Sequence, residues 1–130
     1  GIELWQVPKD VYEMIPVSLA ELEYRVAPCG DIGAYLLEQL DRHAHEPGPR
    51  KSAFRTGESW VLGDSPAIGL ILYEHRFCFD WVQAPLITSD MTYVQTGLNR
   101  PIRVSKSIDS RLILEDLFAK LALFAQKSGR

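Results

Sequence analysis

Asp64 is the residue of this chain best placed to do chemistry. It sits between two apolar runs, Trp60-Val61-Leu62 on one side and Ala67-Ile68-Gly69-Leu70-Ile71-Leu72 on the other. Ser65 followed by Pro66 marks a helix entry, because a hydroxyl caps orphan N–H groups and proline suits the first helical position. A helix is expected from Pro66 to Tyr73, with Asp64 just ahead of the positive end of its dipole. Its carboxylate then has two uses: it caps the helix, the commoner role for Asp, or it points into a cleft and holds a cation or a polar ligand. Other candidates carry less. His43 and His45 are two residues apart, so on a helix they face different ways, whereas a metal-binding pair there needs a spacing of three or four. They suit the solvated end of a helix. His75, between Glu74 and Arg76, reads as a turn residue. Cys29 and Cys78 form no C-x-x-C pair and read as two free thiols, Cys29 exposed in the Pro28-Cys29-Gly30 turn and Cys78 in the core within an aromatic run, with a bond between them left open. At a period of two, Phe77, Phe79 and Trp81 share one face of a strand. That makes either a sugar-stacking platform or, more commonly, core.

Three stretches occur in an order that resembles the C-terminal part of the nucleoside hydrolase family, the calcium-dependent N-ribohydrolases of inosine, uridine and related nucleosides. They are Leu4-Trp5-Gln6-Val7-Pro8-Lys9-Asp10-Val11-Tyr12, then Leu62-Gly63-Asp64-Ser65-Pro66-Ala67, then Pro101-Ile102-Arg103-Val104 with the Ile108-Asp109 helix start. The resemblance implies that the first is the strand following the family's substrate-contacting segment. The second matches a late His-Asp pair, in which the Asp is a calcium ligand and the His, in many members, assists the leaving base. Asp64 stands at the Asp, and Gly63 stands where the His would be. The likeness therefore carries over one metal ligand, Asp64, and no catalytic residue. The family's Asp-rich N-terminal loop, asp-x-asp-x-x-x-asp-asp, supplies most of the calcium ligands and the base that activates water. It does not occur in these 130 residues.

The chain is accordingly expected to be one piece of a longer protein, a single segment over 1–130. The expected fold is α/β, the C-terminal portion of an open Rossmann-like sheet with flanking helices. Two functions follow from the resemblance. In the first, the chain hydrolyses N-glycosidic bonds of ribonucleosides with calcium, only together with upstream sequence or a second chain, and is inactive alone. In the second, loss of the His leaves a non-catalytic carbohydrate-binding or structural module of the same ancestry. Either way the small-molecule partner is a nucleoside or sugar.

Composition bounds the remaining classes. A length of 130 residues suits one domain with a real core. Hydrophobic content of 46% and charged content of 24% are ordinary for a globular protein. The formal net charge of -3 leaves no basic stripe, so nucleic-acid binding has no electrostatic footprint. The longest apolar run, Pro66 to Tyr73, is far short of the roughly 20 residues that span a bilayer, and no membrane segment is expected. The compartment stays open, with the cytoplasm favoured.

The elements that must position Asp64 are read from periodicity. Leu4 to Val7 reads as a buried strand ended by Pro8, and Val11 to Val17 as extended or irregular. Ser18 with Glu21 forms a capping box, and Leu19, Leu22 and Val26 recur at helical spacing, so a helix runs from Leu19 to Val26. Asp31 caps a second helix carrying Ile32, Tyr35, Leu36 and Leu40 on one stripe until Pro47-Gly48-Pro49, and the two helices are expected antiparallel. Residues 47–58, with Arg50, Lys51, Phe54 and Arg55, read as an exposed, solvated loop in the first place, and only secondarily as a contact for an anionic group or a lid beside a site. Phe77 to Val82 is a strand, and Met91 to Gln95 pairs with Ile102 to Val104 across a turn at Thr96 to Arg100. Asp109 to Lys127 is an amphipathic helix with Leu114, Leu117, Leu121 and Phe124 on one face, docking on the core or on a partner subunit in a homo-oligomer.

Overall fold

The fold starts from local signals that the chain obeys. Ser18 Oγ accepts a hydrogen bond from the Glu21 N–H at 3.0 Å, and the helix that follows runs Leu19–Arg25. Asp109 Oδ1 likewise accepts from the Leu112 N–H at 3.0 Å at the head of the long helix Ser110–Ser128. In this computed structural model, which describes residues 1–45, 55–56 and 58–129, the elements are β1 (Trp5–Gln6), α1 (Lys9–Tyr12), β2 (Pro16–Ser18), α2 (Leu19–Arg25), α3 (Gly30–His45), β3 (Arg55–Thr56), β4 (Ser59–Val61), α4 (Ser65–Leu72), a single 3-10 turn (Glu74–Arg76), β5 (Cys78–Gln83), β6 (Leu86–Ile87), β7 (Tyr93–Val94), β8 (Pro101–Ser107) and α5 (Ser110–Ser128). The architecture is mixed α/β, with helices set among small sheets.

The sheet that positions the site has the order β1-β8-β5. β1 runs parallel to β8, with Trp5 opposite Arg103 and Gln6 opposite Val104, and β5 runs antiparallel to β8 with Trp81 opposite Arg103. A second sheet, β2-β4-β3, is antiparallel, and β6 with β7 forms a separate hairpin. Strand pairing departs from the sequence expectation here. Tyr93–Val94 pairs with Leu86–Ile87, while Ile102 to Val104 belongs to β8 between β1 and β5. A local turn closes the short hairpin: Thr88 N donates to Thr92 O and Thr92 N to Thr88 Oγ1, so Tyr93–Val94 folds back on its near neighbour in sequence.

Three further expectations are corrected. Val11 and Tyr12, at the head of the segment Val11 to Val17 expected to be extended or irregular, belong instead to the helical turn Lys9–Tyr12, because Pro8 O accepts from the N–H groups of both, while Pro16–Ser18 is extended as β2. Phe77 precedes the strand and is buried with Ile15, Leu70 and Ile113, while Phe79 and Trp81 stay in β5 with exposed rings. Of the stripe expected on α3, Leu36 and Leu40 pack against the core together with Leu37 and Ala44, whereas Ile32 and Tyr35 are exposed. Most of the expected loop at 47–58, including Arg50, Lys51 and Phe54, lies outside the described residues, but Arg55–Thr56 forms β3 against β4.

Two clusters make the core. Val17, Leu22, Val26, Trp60 and Phe118 form one, and Ile15, Leu70, Phe77 and Ile113 the other. Leu114 packs against both, so α5 ties them together. On α5, Leu114, Leu117 and Leu121 face the core as expected, whereas Phe124 is exposed.

Candidate functional site

Asp64 occupies the N-cap position of α4, with Ser65 the first helical residue and Pro66 close behind. The expected helix start is therefore displaced by one residue, and the capping role falls to Asp64 by position. Its side chain does not take that role: it makes no cap hydrogen bond. The carboxylate is exposed and lines an open groove of about 730 Å³ together with Glu3, Leu4, Trp5, Tyr12, Gly63 and residues of α4. A negative charge at the positive end of a helix is electrostatically favoured without any hydrogen bond.

Gly63 explains part of the groove's shape. A Cβ built there would lie 3.1 Å from Tyr12 Cδ2, so the Tyr12 ring fills the space a side chain at 63 would need. Gly63, which stands where the resemblance expects His, is thus approached closely by Tyr12 of the short helix α1.

Two residues lining the groove, Glu3 and Trp5, are in contact with a buried guanidinium. Arg103 lies between aromatic rings, 4.3 Å from the centroid of Trp5 and 3.6 Å from that of Phe79. Its Nη1 meets Glu74 Oε1 at 2.6 Å and Glu3 Oε1 at 3.3 Å, and its Nη2 is buried with no hydrogen-bond partner among the described residues. Glu3 Oε1 also accepts from Trp5 Nε1 at 2.5 Å. This arrangement fixes the chain entering β1, since Arg103 N donates to Leu4 O and Arg100 Nη1 to Ile2 O. Sequence reasoning gave Arg103 no role. The available signal was a charge between the apolar neighbours Ile102 and Val104 in a strand.

The other sequence candidates are dispersed. His45 sits beside Asp41 on α3, His43 lies 6.2 Å from Trp60 ring to ring, and His75 is in the 3-10 turn. Both cysteines are free thiols, but their expected places are exchanged: Cys29, expected exposed in the Pro28-Cys29-Gly30 turn, is buried, and Cys78, expected in the core, is exposed on the edge strand β5. Among the described residues no group of three or more His, Cys, Asp or Glu converges on a metal position. Calcium takes about six to eight oxygens. Asp64 and Glu3 on one groove fall well short of that shell, so these residues do not by themselves fit a calcium ion. No helix among the described residues is long and apolar enough to cross a membrane.

Comparisons with protein-family models, with curated proteins and with solved structures return no match.

Proposed function

We propose that this chain is the C-terminal part of a nucleoside hydrolase-related protein, hydrolysing N-glycosidic bonds of ribonucleosides only together with upstream sequence or a second chain. In this proposal its sheet is the end of an open Rossmann-like sheet, and Asp64 contributes one oxygen to a calcium ion whose other ligands lie elsewhere. The observation that carries it is the exposed, uncommitted carboxylate of Asp64 at a helix start on the rim of an open groove. The parallel pairing of β1 with β8 is consistent with it, because parallel pairs belong to sheets built by crossover connections.

Cleaving an N-ribosidic bond builds positive charge on the sugar as the base departs. The reaction needs an activated water, a base and a hold on the ribose, and this chain's residues supply none of them alone. Bound calcium would supply a site for hydroxyl and water oxygens. No step is assigned to the groove beyond positioning.

The test is Asp64→Asn in the longest form of the protein, with calcium affinity by calorimetry, nucleoside hydrolysis and thermal melting measured side by side. The expected result is a loss of calcium affinity on the order of tenfold or more, with a parallel loss of rate and an unchanged melting midpoint. An effect confined to melting would return Asp64 to helix capping and overturn the proposal.

A second function, a non-catalytic carbohydrate-binding module, is favoured by one observation. Phe79 and Trp81 meet edge to face at 6.5 Å with both rings exposed on β5. Ribose or a simple sugar that quenches Trp81 fluorescence, and fails to do so after Phe79→Ala, supports that module.

A further inference from the structure

We propose that the groove beside Asp64 is a binding site for a small organic cation, a primary ammonium carried on an aromatic or aliphatic body. Its volume of about 730 Å³ lies in the range of small-molecule sites. The lining has three kinds of surface: apolar side chains such as Leu4, Val7 and Leu70, the aromatic residues Trp5 and Tyr12, and the carboxylates of Glu3 and Asp64. No Lys, Arg or His among the described residues lines it. Arg103, which touches Glu3 and Trp5 of this lining, does not neutralise it, because it sits between two carboxylates, Glu3 at 3.3 Å and Glu74 at 2.6 Å. One guanidinium against two carboxylates leaves that cluster a negative charge in excess. Asp64, whose carboxylate makes no cap hydrogen bond, adds another.

The lining selects the occupant by charge. An uncharged segment laid over the groove would bury the Asp64 carboxylate unpaired, which is unfavourable, so the occupant brings its own positive charge. A bare calcium ion needs about six to eight oxygens, and the apolar side chains here offer none. An anion meets two like charges. An ammonium group on an apolar body suits all three surfaces. It needs only one or two carboxylates, its body removes apolar area from water, and aromatic rings attract its charge. Trp5 already makes that last kind of contact within the fold, with the Arg103 guanidinium 4.3 Å from its ring centroid. The site belongs to the 130-residue chain by itself and requires neither calcium nor upstream sequence, so it stands independently of the proposed hydrolase.

Two-dimensional amide NMR of the chain in calcium-free buffer, titrated with phenethylammonium, phenylethanol and phenylpropionate, tests the site. The three probes share an aromatic body and differ in charge. Phenethylammonium is expected to bind with a dissociation constant on the order of 1 mM and to shift the amides of Gly63, Ala67 and Ile71. The neutral and anionic probes are expected to bind at least about fivefold more weakly, and Asp64→Asn to weaken ammonium binding by about the same factor, the size of one partly exposed ion pair. Ile71 is 76% exposed, so Ile71→Lys leaves the fold intact while placing a cation at the groove, and it is expected to abolish ammonium binding. Circular dichroism checks that both variants fold. No saturable binding of phenethylammonium, equal affinity for phenylethanol, shifts centred on Phe79 and Trp81, or undiminished binding by folded Asp64→Asn or Ile71→Lys overturns the proposal.

Discussion

At the scale of single residues, two glycines are set by close approach. A Cβ on Gly33 would lie 1.9 Å from the backbone oxygen of Val26, where the start of α3 presses on the end of α2. Backbone cannot yield as a side chain can, so Gly33→Ala is expected to destabilise by about 3 kcal/mol or to unfold the protein, read by urea denaturation. Gly63 meets only the Tyr12 ring at 3.1 Å, and a ring can shift by a few tenths of an ångström. Gly63→Ala is therefore expected to cost about 1 kcal/mol, and that cost should shrink in a Tyr12→Leu background. The contrast separates a glycine demanded by the fold from one that shapes the groove beside Asp64.

At the scale of elements, helix ends and inter-helix charges set the order. Ser18 caps α2 through the Glu21 N–H, so Ser18→Ala is expected to lower stability by about 1 kcal/mol, while Ser18→Asp retains most of it. Arg25 of α2 bridges to α5 through both oxygens of Glu115, each at 2.8 Å, with its guanidinium 4.6 Å from the Phe118 ring centroid. The hydrogen bond from Arg25 holds the Glu115 carboxyl below its ordinary value of 4.5. A carboxylate whose folded pKa is depressed contributes stability above its unfolded pKa, and that contribution fades as pH falls through the folded value. Glu115→Gln should thus lose stability at neutral pH and show a smaller further loss on acidification below 4.5 than the parent chain. Denaturant melts at the two pH values check both parts.

At the scale of the whole molecule, α5 is the element that makes one unit of two clusters. Phe118 is buried in the first, Ile113 in the second, and Leu114 touches both. Phe118→Ala is expected to cost about 3–5 kcal/mol. If α5 couples the clusters, unfolding stays a single transition in which tryptophan fluorescence and far-ultraviolet circular dichroism coincide. Separate midpoints for the two probes would mean that the clusters unfold independently.

Much of the local order was legible before the fold. The Ser18 capping box, the α5 stripe from Leu114 to Leu121 and the helix start beside Asp64 are short-range features, set by side chains reaching backbone within a turn and by a period of about 3.6 residues. What the chain could not announce is long-range. The pairing of β8 with β1 and β5, the burial of Cys29, the exposure of Phe79 and Trp81, and the placement of Arg103 between Trp5 and Phe79 depend on residues far apart in sequence. Asp64 shows both sides of this division. Its position at the head of a helix followed from Ser65 and Pro66, because entry to a helix is a local matter. That its carboxylate leaves the cap unmade and opens onto a groove shared with Glu3 and Tyr12 was decided by tertiary structure, since only packing brings β1, α1 and α4 to one place.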